Sequence, residues 1–278
     1  MVMGLFLGIN GVGGFMIKKL RFLIEYLLDD PNRDEYLYYL QKYKIDLGDF
    51  NLDEDTLFEA YRIICNLRMP NKLDEDFLKV EGEVLKYFIE RDGIFYYKDA
   101  KKFGENIYLY KGDITRLSVD AIVNAANKYM LGCFVPKHYC IDNAIHTFSG
   151  AILRNKCYEI MGESTLDTSQ VIVTDAYNLP SKYIFHTVGP IIENAETNED
   201  DEMLKNCYIN CIKEAQERKI KSLAFCAIST GAFGFDKKRA ANIATDTILQ
   251  SDLNMDIVFN VFSDEDYKIY EELLCKNC

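Results

Sequence analysis

The sequence is poor in positive charge: 32 Lys and Arg residues stand against 44 Asp and Glu residues, which gives a net charge of −12 at pH 7. Proteins that bind DNA or RNA usually present a basic face to the phosphate backbone. We therefore expect no nucleic-acid partner. A chain of this charge must bind a phosphate compound through a local arrangement of amides or metal, which favours a small ligand over a polymer.

Long apolar segments are also missing, because no run approaches the ~20 apolar residues that span a bilayer. The start, MVMGLFLGINGVGGFMIKKL, carries its lysines after the apolar run and not before it, unlike a secretory signal. We expect a soluble protein with no membrane partner. The nine cysteines are odd in number and irregularly spaced, which favours reduced thiols and a cytoplasmic location over a disulfide framework.

The pattern of residues divides the chain into three segments. Residues 1–17 contain GINGVGG, which lacks the lysine of a phosphate-binding P-loop and is interpreted as a flexible leader. Residues 18–95 place apolar residues three and four apart, which predicts a small helical domain. Residues 104–278 alternate apolar strand runs, such as VDAIVNAAN and SLAFCAIST, with helical runs. That alternation predicts an α/β domain of three layers with a mostly parallel, buried sheet.

Three loops follow predicted strands, at the end of the sheet where ligands of such folds bind. One of them is STGAFGF, Ser229–Phe235, whose small residues and glycines would let backbone amides converge on an anion. Glycine-containing turns between a strand and a helix also occur without any ligand. From the residues alone, phosphate binding and a plain turn stand about even.

The segment LGCFVPKHYCIDNAIH holds Cys133, His138 and Cys140 between a predicted strand and a predicted helix start at Ile141. Two thiolates and one imidazole suit zinc, and three protein ligands leave a fourth position for water or substrate. The alternative is that the cysteines pack as small hydrophobic residues and the histidine is solvated. His146 and His186 are interpreted as hydrogen-bonded structural residues.

Polar residues end two of the predicted strands. Asp113 follows one strand, and Asn124 and Asn127 end the next. Each could contact a ligand or could tie its own loop through local hydrogen bonds. Their convergence at one edge of the sheet favours a ligand.

Together, GDITRLSVDAIVNAAN, CIDNAIH, YNLPSKYIFHTVGP and AFCAISTGAFGF resemble the macrodomain family, which binds ADP-ribose. GCFVPKHYC replaces the glycine-rich run of common macrodomains. That replacement is similar to the zinc-dependent macrodomains, microbial protein-ADP-ribose hydrolases in which a small helical region precedes the macrodomain. The resemblance implies a three-layer α/β/α fold with a mixed, mostly parallel sheet.

The resemblance also implies roles for individual residues. Asp113 would bind the adenine amino group beside Ile114, and one zinc ion per chain would be held by Cys133, His138 and Cys140. Asn127 and Asp142 would be catalytic, with Cys140 and Asn143 lining the same pocket near the ribose. The diphosphate would be held by the turn formed by Ser229, Thr230, Gly231, Ala232, Phe233, Gly234 and Phe235.

The implied activity is the zinc-dependent removal of ADP-ribose from modified protein side chains. The partners would be an ADP-ribosylated protein, with a lipoyl-carrier protein as one suggested target, and ADP-ribose as product. Two alternatives remain: a noncatalytic reader that binds ADP-ribose without metal, and an interaction module that zinc stabilises.

Overall fold

The first part of the chain is helical. The structure, a computed structural model, describes residues 12–276. Its first four helices are α1 (Val12–Leu27), α2 (Arg33–Lys42), α3 (Glu54–Leu67) and α4 (Glu75–Asp92). Helix α1 begins six residues before the predicted start at residue 18, and the rest of the predicted leader lies outside the described residues.

The ends of these helices follow from their sequences. Asp53 and Asp74 each accept a hydrogen bond from the backbone amide three residues later, and so begin α3 and α4. Helix α4 ends at Gly93, whose φ of 90° is a conformation that favours glycine. The helices enclose a core of their own, which also receives Phe148 and Ala151 from the second part of the chain.

The second part of the chain contains all of the described strands. They are β1 (Phe95–Tyr96), β2 (Lys101–Phe103), β3 (Ile107–Lys111), β4 (Leu117–Ser118), β5 (Ala121–Ala125), β6 (Val171–Asp175), β7 (Tyr183–Thr187), β8 (Ser222–Phe225) and β9 (Asp256–Val261). Seven of them form one sheet in the order β2-β3-β9-β8-β5-β7-β6. The five inner strands are parallel, and both edge strands run antiparallel to their neighbours.

Helices flank this sheet. They are α5 (Ile141–Ser149), α6 (Ala151–Met161), α7 (Asn198–Glu217), α8 (Lys237–Leu249) and α9 (Asp264–Lys276). Helices α5 and α6 pack together, and α7, α8 and α9 form a second group. The predicted three-layer α/β/α fold with a mixed, mostly parallel sheet is confirmed. Among the described helices, none is long and apolar enough to cross a membrane.

Two elements differ from what the sequence predicts. The pattern from Ile141 to Met161 predicts one helix, but Gly150, where φ is 99°, divides it into α5 and α6. The acidic segment IENAETNEDDEM predicts a polar loop, but α7 begins inside it, where Thr197 and Asp200 form a reciprocal capping box.

The two parts of the chain share a polar boundary. The carboxylate of Glu81 on α4 is buried and accepts hydrogen bonds from Tyr61 Oη, at 2.5 Å, and from the amide of Ala151, at 3.0 Å. Arg154 on α6 donates from one guanidinium nitrogen to the carbonyl oxygens of Cys65, Asn66 and Arg68 at the end of α3. The helical part is therefore fixed against α5 and α6.

Candidate functional site

A cavity of about 980 Å³ opens at the carboxyl ends of the parallel strands. Asp113 beyond β3, Asn127 beyond β5, Thr230 beyond β8 and Phe262 beyond β9 all line it. Ligand sites of small molecules usually occupy ~300–1,000 Å³, so this cavity has room for a ligand of dinucleotide size. It lies where the strand pattern predicted a site.

Asp113 and Ile114 occupy one end of the cavity. Asp113 begins a 3₁₀ turn, Ile114–Arg116, and its Oδ1 accepts from the amide and the hydroxyl of Thr115 at 2.9 and 2.7 Å. Both Asp113 and the buried Ile114 line the cavity. The local hydrogen bonds therefore hold a carboxylate at the cavity wall.

The turn Ser229–Phe235 borders the same cavity. It is closed by hydrogen bonds of 3.0 Å from the amide of Gly234 to the carbonyl of Gly231 and from the amide of Phe235 to the carbonyl of Ser229. Among the described residues, the amides of residues 230–233 donate to no protein group. These free donors could hold an anion.

Not every residue of this turn reaches the cavity. The lining includes Ser229, Thr230, Gly231, Ala232 and Phe233. Gly234 is not part of the lining, and Phe235 is only 2% exposed in the hydrophobic core. The amide of Arg239 in the first turn of α8 donates to the side chain of Asp236. The N-terminus of α8 is therefore already capped by a side chain of the protein.

A polar network surrounds the carboxylate of Asp142. Asn124 Nδ2 lies 2.9 Å from Asp142 Oδ1 and 3.1 Å from His186 Nδ1, while His186 Nε2 lies 3.0 Å from the hydroxyl of Thr174. Asn127 Nδ2 donates to Asp142 Oδ2 at 3.1 Å. Two amides therefore hold both oxygens of Asp142 in place.

The environment of Asp142 affects its ionisation. The residue is only 6% exposed, and burial raises the pKa of its carboxyl to about 6 although Asn124 donates to the charged form. Asp142 is thus mainly an anion at neutral pH. Burial lowers the pKa of His186 to about 3, so this imidazole is neutral.

Cys133, His138 and Cys140 come together in the loop before α5, which we call the metal loop (residues 133–140). Their ligand atoms lie within 4.8 Å of one another, and Cys133 Sγ is 3.4 Å from His138 Nδ1. The hydrogen bond with Cys140 lowers the pKa of Cys133 to about 5 and raises the pKa of Cys140. Cys133 thus has the more acidic thiol of the pair.

These three residues fit a tetrahedral metal ion. Zinc bonds of ~2.3 Å to sulfur and ~2.0 Å to nitrogen place such atoms ~3.5 Å apart, close to the observed sulfur–nitrogen separation. All three residues line the cavity, so a fourth position would face it. As predicted, α5 begins at Ile141, with Cys140 as its N-cap residue.

Comparison with known proteins gives two results on the family. The family model for the Macro domain matches residues 123–244. A protein-ADP-ribose hydrolase of Treponema medium is 42% identical over 264 residues, which cover 91% of this chain and 97% of that protein. The chain belongs to the macrodomain family.

Solved macrodomains agree with this fold. A macrodomain of Oceanobacillus iheyensis with ADP is 36% identical, with a TM-score of 0.58, and the match covers 64% of this chain and 94% of that one. A Trypanosoma brucei macrodomain in complex with ADP-ribose is 26% identical, with a TM-score of 0.57 and coverage of 76% and 94%.

Asn143 and His146 of this macrodomain are not part of the cavity lining, although the resemblance implies that Asn143 lines the pocket. Asn143 is fully buried, and its Nδ2 is 3.4 Å from the carbonyl oxygen of Val135 in the metal loop. Within the described part of the chain, neither ring nitrogen of His146 has a hydrogen-bond partner, so the prediction of a hydrogen-bonded histidine is wrong. Its Nε2 lies 3.6 Å from Asp142 Oδ1.

A second cluster of possible metal ligands is fully buried. It consists of His146, Cys157 and His186. Asn124 and Thr174 already occupy both ring nitrogens of His186, and burial raises the pKa of the Cys157 thiol to about 12. The exposed metal loop is the better site for an ion.

The helical part of this macrodomain contributes residues that the sequence pattern did not reveal. Arg62 of α3, Met69 after α3 and Asp92 at the end of α4 all line the cavity. No local motif identifies these three residues as cavity residues. The apolar spacing of a helix indicates which of its faces is buried, but not which other part of the protein packs against it. The exposed side chains of Tyr129, Phe134 and Tyr139 form part of the rim.

Proposed function

We propose that this chain is a zinc-dependent hydrolase that releases ADP-ribose from modified protein side chains. The main support for this proposal is that Cys133, His138 and Cys140 line the same cavity as the carboxylate of Asp142. The name of the Treponema medium relative, protein-ADP-ribose hydrolase, supports the reaction, and the Trypanosoma brucei complex supports ADP-ribose as the ligand.

The cavity offers a place for each part of ADP-ribose. Asp113 would accept a hydrogen bond from the adenine amino group, and the free amides of residues 230–233 would donate to the diphosphate. The remaining ribose would then lie beside Asn127, Asp142 and Cys140, which line the rest of the cavity. The adenine and diphosphate contacts are thus separate from the metal loop.

Hydrolysis breaks the bond between ribose C1″ and the modified side chain. The oxygen of water adds to C1″, and its proton leaves with the side chain. Positive charge develops on the ribose as the bond breaks, and the anionic Asp142, held by Asn124 and Asn127, would stabilise that charge. When bound, zinc would act as a Lewis acid that orients the ribose hydroxyls and lowers the pKa of water.

We also propose a class of target protein. The resemblance to zinc-dependent macrodomains, rather than any contact in the structure, supports a lipoyl-carrier protein. The rim residues Tyr129, Phe134 and Tyr139 would lie nearest to whichever protein carries the modification.

The test compares wild type, chelated wild type and Cys140→Ala, with Cys275→Ala as the control for an exposed cysteine outside the cavity. Calorimetry measures ADP-ribose binding, and mass spectrometry measures its release from modified proteins. We expect release to fall at least about a hundredfold without metal while binding persists, because a misplaced reacting group costs that much in rate. Undiminished release would contradict zinc dependence, and binding without release by the metal-replete wild type would indicate a reader.

A further inference from the structure

Helix α3 of the helical part contacts the metal loop. We infer that Glu59 and Arg62 of α3 are positioning residues for the metal loop, so that the helical part completes the site instead of merely preceding it. This inference rests on the proposed function, because it concerns the residues that would hold the metal. It assigns α3 no contact with the reacting atoms.

Glu59 contacts the two residues that flank His138. Its Oε1 accepts from Tyr139 Oη at 3.3 Å and forms an ion pair with Lys137 Nζ at 3.2 Å. The side chains of Glu59 and Lys137 are 22% and 33% exposed, so solvent screens this pair only in part. One carboxylate thus contacts the side chains on both sides of a proposed ligand.

Arg62 lies one helical turn further along the same face. It is 3.8 Å from Glu59 Oε2, and its guanidinium lies over the ring of Tyr139 at 5.2 Å. It also reaches Asn143 Oδ1 at 3.5 Å, and Asn143 in turn contacts the carbonyl oxygen of Val135. Arg62 therefore contacts the metal loop near its end, at Tyr139, and through Asn143 near its start, at Val135.

The loop needs external support of this kind. Lys137 has a φ of 61°, a left-handed conformation that is uncommon for a residue with a side chain. Residue Tyr43, beyond α2, adds a hydrogen bond of 3.2 Å to the carbonyl oxygen of Pro136, and Lys137 Nζ lies 5.0 Å from the ring of Tyr43. The contacts from α3 and Tyr43 hold a loop that has no regular secondary structure of its own.

Contacts of this kind raise metal affinity because they hold the ligand residues in a fixed arrangement before the ion binds. Three donors on a loop must be fixed together before they bind one ion, and partners that fix ligand groups typically change metal affinity or activity ~10- to 100-fold. Loss of Glu59 or Arg62 should therefore loosen the loop and weaken zinc binding. The adenine and diphosphate contacts would remain.

The test uses the full chain with Glu59→Gln, Arg62→Ala and the conservative Arg62→Lys. Matched controls are Glu83→Gln, which breaks an ion pair with Lys19, and Arg21→Ala, which removes hydrogen bonds to Leu47 and Asp49. Both controls act inside the helical part. The readouts are hydrogen exchange of the amides in residues 131–143, zinc affinity by chelator competition, ADP-ribose affinity by calorimetry, and kcat with KM for release.

We expect Glu59→Gln and Arg62→Ala to lower zinc affinity about tenfold and to speed exchange in the loop by a similar factor. Compared with Arg62→Ala, Arg62→Lys should bind zinc more tightly and exchange its loop amides more slowly. The lysine retains the charge beside Glu59 but not the planar contact with Tyr139. The controls should match wild type, and circular dichroism confirms that each variant is folded.

The outcomes separate this inference from the proposed function. Wild-type exchange and zinc affinity in both folded α3 variants would overturn the inference, whatever the activity. If wild type binds no zinc or releases no ADP-ribose, the proposed function fails, and loop exchange alone then decides whether α3 positions residues 133–140.

Discussion

Asn124 at the end of β5 donates a hydrogen bond of 2.9 Å to Asp142 in the first turn of α5, and both residues are buried. The bond joins the sheet to the helix that follows the metal loop. The same side-chain nitrogen also contacts His186. Asn124 therefore holds the carboxylate of Asp142 on the side of the sheet.

Replacing Asn124 should therefore damage catalysis more than ligand binding. Asn124→Ala removes a donor from a buried carboxylate, which costs about 1–3 kcal/mol of stability. The release of ADP-ribose should fall on the order of a hundredfold, because Asp142 loses its position. Asn210→Ala, which removes one hydrogen bond on α7, is the control, and equal kcat values for the two variants would contradict this role.

Zinc content tests the metal loop directly. We expect about one zinc per chain, less in Cys133→Ser and His138→Ala, and wild-type content in Cys157→Ser, because Cys157 belongs to the buried cluster. Elemental analysis of protein purified without added metal measures it. Loss of zinc from Cys157→Ser alone would move the ion to the buried cluster.

A single glycine substitution tests the diphosphate turn. A Cβ atom at Gly231 would meet no atom within 4 Å, so Gly231→Glu should fold while its carboxylate enters the cavity. We expect ADP-ribose affinity to fall at least about a hundredfold, because like charges in a partly buried site repel strongly. Gln250→Glu adds the same charge at the exposed end of α8, and calorimetry should find its affinity unchanged.

The buried Glu81 predicts a dependence of stability on pH. Burial raises its pKa from 4.5 to about 7, so the folded state retains a proton that the unfolded state has lost. The contribution of protonated Glu81 to the free energy of unfolding is complete below pH ~4.5 and is lost as the pH rises to ~7. The loss amounts to at most about 3 kcal/mol. Chemical denaturation across this range should show that wild type loses stability relative to Glu81→Gln, and parallel curves would contradict the shifted pKa.

The fold could be predicted from the sequence wherever local signals agree. The apolar runs VDAIVNAAN and SLAFCAIST predicted β5 and β8, because strands covered on both faces are continuously apolar. The start of α7 was missed, because its acidic residues were interpreted as a loop, although acids favour the first turn of a helix.

The site was predictable to the extent that its residues are neighbours in the chain. Cys133, His138 and Cys140 lie within eight positions, so their spacing predicted a cluster. Glu59 and Tyr139 are 80 positions apart, and no local pattern reports a contact over that distance. Whether His146 finds a hydrogen-bond partner among the described residues likewise depends on which side chains surround it in the folded interior.

The edge strand β2 limits how a modified protein can approach. It has only three residues, and Lys101 and Lys102 are exposed. Short, lysine-bearing edges resist the addition of a strand from another chain, a mode by which many domains capture extended peptides. At this edge of the sheet we therefore expect no strand addition by a target protein, so any contact made here would rest on side chains and not on a shared backbone ladder.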